Sequence, residues 1–201
     1  MRRGIHWGGV VAAMLLAWSS FACAQTPVSA APQPADLFDF WVGDWDLTWT
    51  NEDGTTGRGR NRIDKILDGA VIEEKFEELV AAGEAALKGR SLTVRDKKSG
   101  IWRQSWADNQ GGFFTLTTQV DGERRILTTE VVKTTEKASV QRMVFHSMSA
   151  DALVWDWEGS ADGGATWKRL WRIDYKRRKG YRKTKGHRQQ YTKVKVTAIN
   201  A

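Results

Sequence analysis

Few side chains in this sequence have the type and spacing that covalent chemistry needs. The histidines are His6, His146 and His187, and no two stand at metal-ligand spacing. His6 falls in a leader-like stretch and His187 in a basic tail, which leaves His146 as the one histidine a folded domain would use. It could serve as the single axial ligand of a pentacoordinate haem, although an ordinary strand histidine is the commoner reading. Asp108, followed by Asn109, would be a general base if buried, and so the centre of a carboxylate-based hydrolase or isomerase. The same pair is also ordinary turn chemistry. Glu73, Glu74, Glu77 and Glu78 crowd together, with Glu73 and Glu77 on the parity opposite Ile72 and Phe76, as on a solvated strand face. There is no G-x-S-x-G and no cysteine beyond Cys23, so no catalytic constellation forms. A non-enzymatic role is expected, with no cofactor other than the haem option at His146.

Binding is the other chemistry on offer. Trp102 and Trp106 share one face of a strand with Gln104 between them, and Trp155 and Trp157 share a face likewise, as do Trp167 and Trp171. Aromatics on one parity can line a cavity for a small apolar or aromatic molecule. They can equally fill a core. The residues expected to touch a ligand are Trp45, Trp102, Trp106, His146 and Trp155.

Such faces require strands. From Trp45 the chain runs Trp-Asp-Leu-Thr-Trp-Thr, the period of a half-buried β-strand. Asn51-Glu52-Asp53-Gly54 then makes a hairpin turn, with glycine at the left-handed position of a three-residue loop. That loop sets Trp49 opposite Gly57, Leu47 opposite Gly59, and Asp44 and Asp46 opposite Arg62 and Arg60. Bulky side chains cover glycines on one face while opposite charges meet on the other. Trp45, opposite Asn61, stays free to reach a ligand. About ten short strands joined by tight turns follow, with no convincing helix. The expected fold is all-β, an antiparallel up-and-down barrel of lipocalin-like form, with an open β-sandwich as the alternative.

The two ends differ from the middle in composition. Arg2 and Arg3, the apolar run from Val10 to Trp18, and Ala22-Cys23-Ala24 read as a signal peptide over residues 1–24, cleaved after Ala24. Lipidation at Cys23 is disfavoured, because Ser20 and Phe21 suit a lipobox poorly. Residues 25–35, rich in Ala and Pro, read as a flexible linker, and residues 36–175 as the barrel domain. Residues 176–201 contain six lysines and four arginines with no acid. The formal charge of +7 thus resides in the ends, and the body is acidic. The tail, with bases from Lys176 through Lys195, reads as a disordered extension suited to an anionic envelope surface. An exported chain makes nucleic acid an unexpected partner, and the mature chain carries no expected transmembrane segment. Periplasmic or secreted localisation follows.

Ser160-Ala161-Asp162-Gly163-Gly164-Ala165-Thr166-Trp167 fits the Asp-box pattern S-x-D-x-G-x-T-W. Asp162, Gly163, Gly164 and Trp167 are expected to fasten a hairpin rather than to do chemistry. Together with FDFWVGDWDLTWT and GRSLTVRDKKSGIWRQSWADNQGG, this motif resembles an uncharacterised family of exported bacterial proteins with a lipocalin-like barrel. The resemblance spans about residues 36–175 and implies a fold but no substrate. Gly43-Asp44-Trp45 is more distantly similar to the opening strand of nitrobindin-like haem barrels, although Leu47 and Trp49 stand where that pattern has glycines.

Overall fold

The computed structural model describes residues 31–135 and 137–179. The first half of the chain forms β1 (Gly43–Thr50), β2 (Thr56–Ile66), β3 (Val71–Glu78), β4 (Lys88–Arg95), β5 (Trp102–Asp108) and β6 (Phe113–Asp121). β7 (Arg124–Thr129), the two-residue β8 (Val132–Lys133), β9 (Ala138–His146), β10 (Ala152–Ser160) and β11 (Lys168–Arg177) complete it. Neighbouring strands pair antiparallel. β1 pairs with both β2 and β11, and β9 with both β7 and β10. Ten strands therefore close into a barrel, and β8 lies outside it against the start of β9. Closure removes the open sandwich from consideration, since the ring keeps no unpaired edge. The described residues contain no α-helix, only a 3₁₀ turn at Asp39–Trp41.

The first hairpin has the register its loop predicts. The Asn51 N–H donates to Thr55 O, Gly54 takes φ of 81°, and Trp49 and Leu47 face Gly57 and Gly59. A Cβ on Gly57 would overlap the Trp49 indole, so glycine is there because the ring occupies its place. The charges on the other face depart from expectation. Asp44 and Asp46 do lie across from Arg62 and Arg60, but the Arg62 guanidinium turns to Asp64 at 2.9 Å and Asp46 meets Arg178 at 3.3 Å. On a solvated sheet face ion pairs are individually weak, so partners two residues away or one strand over compete with the directly opposed one.

One end of the barrel is plugged by the segment that precedes β1. Phe38 packs edge-on against Trp102 at 5.5 Å and Phe145 at 6.3 Å, and Trp41 meets Phe145 at 5.1 Å. The Trp45 indole N–H donates to Trp41 O at 2.7 Å. Arg177 clamps the plug: its guanidinium donates to the carbonyls of Phe40 and Val42 and lies 4.3 Å over the Trp45 ring.

The folded domain is longer than residues 36–175. Gln33, within the expected flexible linker, is buried; its side chain donates to Thr118 O at 2.8 Å and accepts from the Trp102 N–H at 2.9 Å. Its own N–H donates to Gly100 O at 2.9 Å. One glutamine thus pins this end by completing backbone hydrogen bonds, which leaves no periodic trace in sequence. At the other end β11 runs to Arg177, two residues into the basic stretch. The expected signal peptide and the tail beyond Lys179 lie outside the described residues.

Candidate functional site

The end of the barrel that carries the β1–β2, β3–β4 and β5–β6 loops is not filled. A cavity of about 160 Å³ remains there. Trp155, Trp157 and Trp171 form one wall, Phe76 and Trp106 another, and Phe114, Leu87 and Asp108 stand toward the loops. Trp41, Met143, Ile173 and Tyr175 line it from the plugged side. Strand alternation places these rings inside, and their contacts hold them. Trp155 stacks on Trp157 at 6.2 Å and meets Trp171 edge-on at 5.7 Å. Phe76 meets Trp171 at 6.2 Å and Trp106 at 6.1 Å. Edge-to-face pairs of this kind rigidify a wall beyond what area alone provides.

One deeply buried carboxyl group opens into this aromatic space. Glu74 on β3 is only 5% exposed, shares the inward parity of Ile72 and Phe76, and lines the cavity. Asn61 Nδ2 donates to its Oε1 and Ser91 Oγ to its Oε2, each at 2.6 Å. Burial pushes the Glu74 carboxyl up to about 7, against the downward pull of the Ser91 and Asn61 hydrogen bonds. The Tyr175 hydroxyl accepts from Asn61 Nδ2 at 3.1 Å. Burial, and then the Glu74 charge, raise its pKa far above the usual phenol range, so it stays neutral. The Trp41 indole N–H faces the same hydroxyl without closing a bond of proper geometry, and Asn61 Oδ1 also lacks a partner among the described residues.

The residues expected to bind a ligand separate into two groups. Trp106 and Trp155 stand in the cavity wall. Trp45 does not: its register opposite Asn61 holds, but Trp41 and Arg177 cover it and it is fully buried. Trp102 is buried against Phe38 with its indole N–H on Pro34 O, because the plug takes the space it would have lined. His146 is on the outer surface. Met143 and Phe145 are the inward residues of β9, and the His146 ring nitrogens contact Ser147 Oγ at 2.9 Å and Asp156 Oδ2 at 3.1 Å. Asp156 also takes two bonds of 2.7 Å from Arg172. Burial raises its carboxyl, but these partners outweigh that and hold it below the ordinary range. Haem does not fit these residues. His146 points away from the interior, and about 160 Å³ is on the scale that holds one benzene ring.

Asp108 is at the cavity rim, but its oxygens are committed. It accepts from the Trp106 indole N–H at 2.9 Å and from the backbone N–H groups of Gln110 and Gly112. Burial raises its carboxyl, yet these donors prevail and leave it below the ordinary carboxylate range, the state of a turn fastener rather than of a base. The Asp-box is built as its pattern requires. Asp162 accepts from the hydroxyls of Ser160 and Thr166 and from the Thr166 N–H, and these donors, Ser160 foremost, hold its carboxyl far below its usual value. Gly163 N–H donates to Ala138 O, tying the loop to β9, while the Arg142 guanidinium lies 3.8 Å over the Trp167 ring.

A larger depression of about 760 Å³ lies beyond the rim, between the exposed side chains of Phe113, Val132 and Leu170. It is open to solvent and bordered by hydroxyls such as Thr129, Ser139 and Thr166. The aromatic-walled cavity, with its buried carboxyl, is the better candidate. Residue type does not single out Asn61, Ser91 or Tyr175, and it marks Glu74 only as one member of an acidic cluster. Parity gave the available signal, since Glu74 alternates with Ile72 and Phe76 on one face.

Residues 165–199 match the ribosomal prokaryotic L21 protein family. The large ribosomal subunit protein bL21 of Lachnoclostridium phytofermentans (strain ATCC 700394 / DSM 18823 / ISDg) is 67% identical over 27 residues, 13% of this chain. The chain spans 26% of the length of that relative. Among solved structures, a de novo designed fluorescence-activating β-barrel is similar at 16% identity with a TM-score of 0.36, covering 71% of this chain and 98% of that one.

Proposed function

We propose that this protein is an exported, non-enzymatic β-barrel that holds one small aromatic or apolar molecule in the cavity between the Trp41 plug and the loops of the open end. The observation that carries the reading is an unfilled, aromatic-walled space of about 160 Å³ with a buried carboxyl opening into it. Protein interiors keep few voids larger than a water molecule, and an empty one of this size lowers stability. A barrel that encloses so many rings yet leaves this volume open is therefore read as shaped around an occupant. Export is supported by the leader features of residues 1–24. Native mass spectrometry of protein purified from the periplasm of its own host tests both parts. A chain beginning at Gln25 with one stoichiometric small-molecule adduct is the expected result. An empty barrel that also shows no saturable response to benzene, toluene or indole would overturn the binding reading.

A second, separate activity is proposed for the tail, on its bases from Lys176 through Lys195 and its likeness to a ribosomal protein segment. It acts as a salt-sensitive attachment to polyanionic surfaces. Removing residues 180–201 should release the protein from anionic vesicles at low salt; unchanged retention would sink the idea.

A further inference from the structure

Resting on the interior-pocket reading, we infer that the ligand is a small organic cation, an amine on an apolar or single-ring aromatic body, with its ammonium group seated against Glu74. Three observations converge on this. The walls are aromatic rings, with Trp155, Trp157 and Trp171 on one side and Phe76 and Trp106 on the other. Indole and phenyl faces attract cations through their quadrupole, most strongly where the site is desolvated. The charged side chains lining the cavity are Glu74 and Asp108, and no lysine or arginine lines it among the described residues. An anionic ligand would find neither a counter-charge nor a guanidinium fork, whereas a cation meets the deep carboxyl of Glu74 and the negative charge of Asp108 near the rim, whose oxygens are held by its own loop. Finally, the two side chains that bond Glu74 both donate to it. That arrangement suits an ionised carboxylate with lone pairs left over, and it leaves the inner site asking for a third donor.

The same geometry explains why the anchor is weak when the cavity is empty. Among the described residues Glu74 has no cationic partner, and its neighbours are Asn61 on β2, Ser91 on β4 and the neutral Tyr175 hydroxyl on β11, with Asp108 of β5 lining the same space. Lys75 and Glu73 are bonded to each other at 2.7 Å on the outer face. An arriving ammonium group would supply the missing charge, and a neutral Glu74 would give up its proton to solvent as the pair forms. With the carboxyl poised near about 7, cation affinity should rise with pH across that value while the affinity of a neutral molecule should not. The free volume suits a small ligand: about 160 Å³ accommodates one ring with a short amine arm.

Benzylamine and its neutral isostere benzyl alcohol provide the test, titrated calorimetrically into the wild-type protein and a Glu74→Gln variant. In the wild type at about pH 8, benzylamine should bind tenfold or more tightly than benzyl alcohol. Between about pH 5.5 and about pH 8 its affinity should rise roughly tenfold or more, with benzyl alcohol nearly unchanged. Glu74→Gln should erase the preference of benzylamine over benzyl alcohol. If benzyl alcohol binds as well as benzylamine, or if the preference survives in Glu74→Gln, the cation assignment is wrong and the pocket reading stands. If neither compound binds, both fall. Should the variant not fold, the wild-type pH series alone decides, since a flat benzylamine profile contradicts the assignment.

Discussion

The two ends of this barrel are built from the same residue types and do opposite things. At the plugged end, Phe38, Trp41 and Phe145 interlock, Trp45 is sealed beneath them, and Arg177 fixes the closing segment to the barrel through two backbone carbonyls. At the loop end, Phe76, Trp106, Trp155, Trp157 and Trp171 touch one another at their edges but leave the middle vacant. The difference lies in what enters the barrel. One end receives a segment of chain that brings its own rings, and among the described residues no segment enters the other. Tryptophan on an inward parity therefore does not by itself mean either core or site; the presence of a plug decides.

If that contrast is right, truncating the plug should have the largest effect. Phe38→Ala removes a fully buried ring and should lower stability by about 3–5 kcal/mol, read from urea midpoints. Trp171→Ala at the loop end, where the ring is only half-buried, should lose roughly half of that and weaken ligand binding. The reverse ranking would break the two-ended picture. The next effect is electrostatic. Because burial raises the folded pKa of Glu74 to about 7 from its ordinary 4.5, its favourable contribution is fully present below the unfolded value and is lost as pH rises through the folded one. Unliganded protein should thus be less stable at about pH 8 than at about pH 5 by a term of order 3 kcal/mol. Comparing the pH slope of Glu74→Gln with that of wild type isolates this term, and identical slopes would mean that Glu74 is not buried as described.

Smaller changes sharpen the comparison. Arg177→Met removes the clamp on the plug and should destabilise by about 2 kcal/mol, with cavity binding little altered. Gly89→Ala adds a Cβ into the space of the Trp106 ring. It should cost about 1–2 kcal/mol through overpacking but weaken ligand binding more than Arg177→Met does. A binding titration of the two variants side by side would show whether the two ends are independent.

The fold was legible where local signals agree. The alternation from Trp45 and the Asn51 to Gly54 turn specify β1, β2 and their register, and the Asp-box specifies the β10–β11 loop, because each is set by residues within one hairpin. The site was only partly legible, for two physical reasons. β9 is apolar on both faces, with Val144 as fully buried as Phe145, so alternation there carries no sense of inside and outside, and His146 could not be placed. The plug is a non-periodic lead-in whose destination depends on the closed barrel, so nothing near Trp45 or Trp102 in sequence says that they will be covered. Glu74 was readable from parity with Ile72 and Phe76, but its acidic neighbours made the cluster look solvated.

The most direct measurement is an NMR titration that follows the indole N–H resonance of each tryptophan as benzylamine is added near neutral pH. Saturable shifts at Trp106, Trp155, Trp157 and Trp171, with Trp45 and Trp102 unmoved, are the predicted result. Shifts centred on Trp167 by the outer depression, or no saturable shift at any cavity tryptophan, would contradict the account.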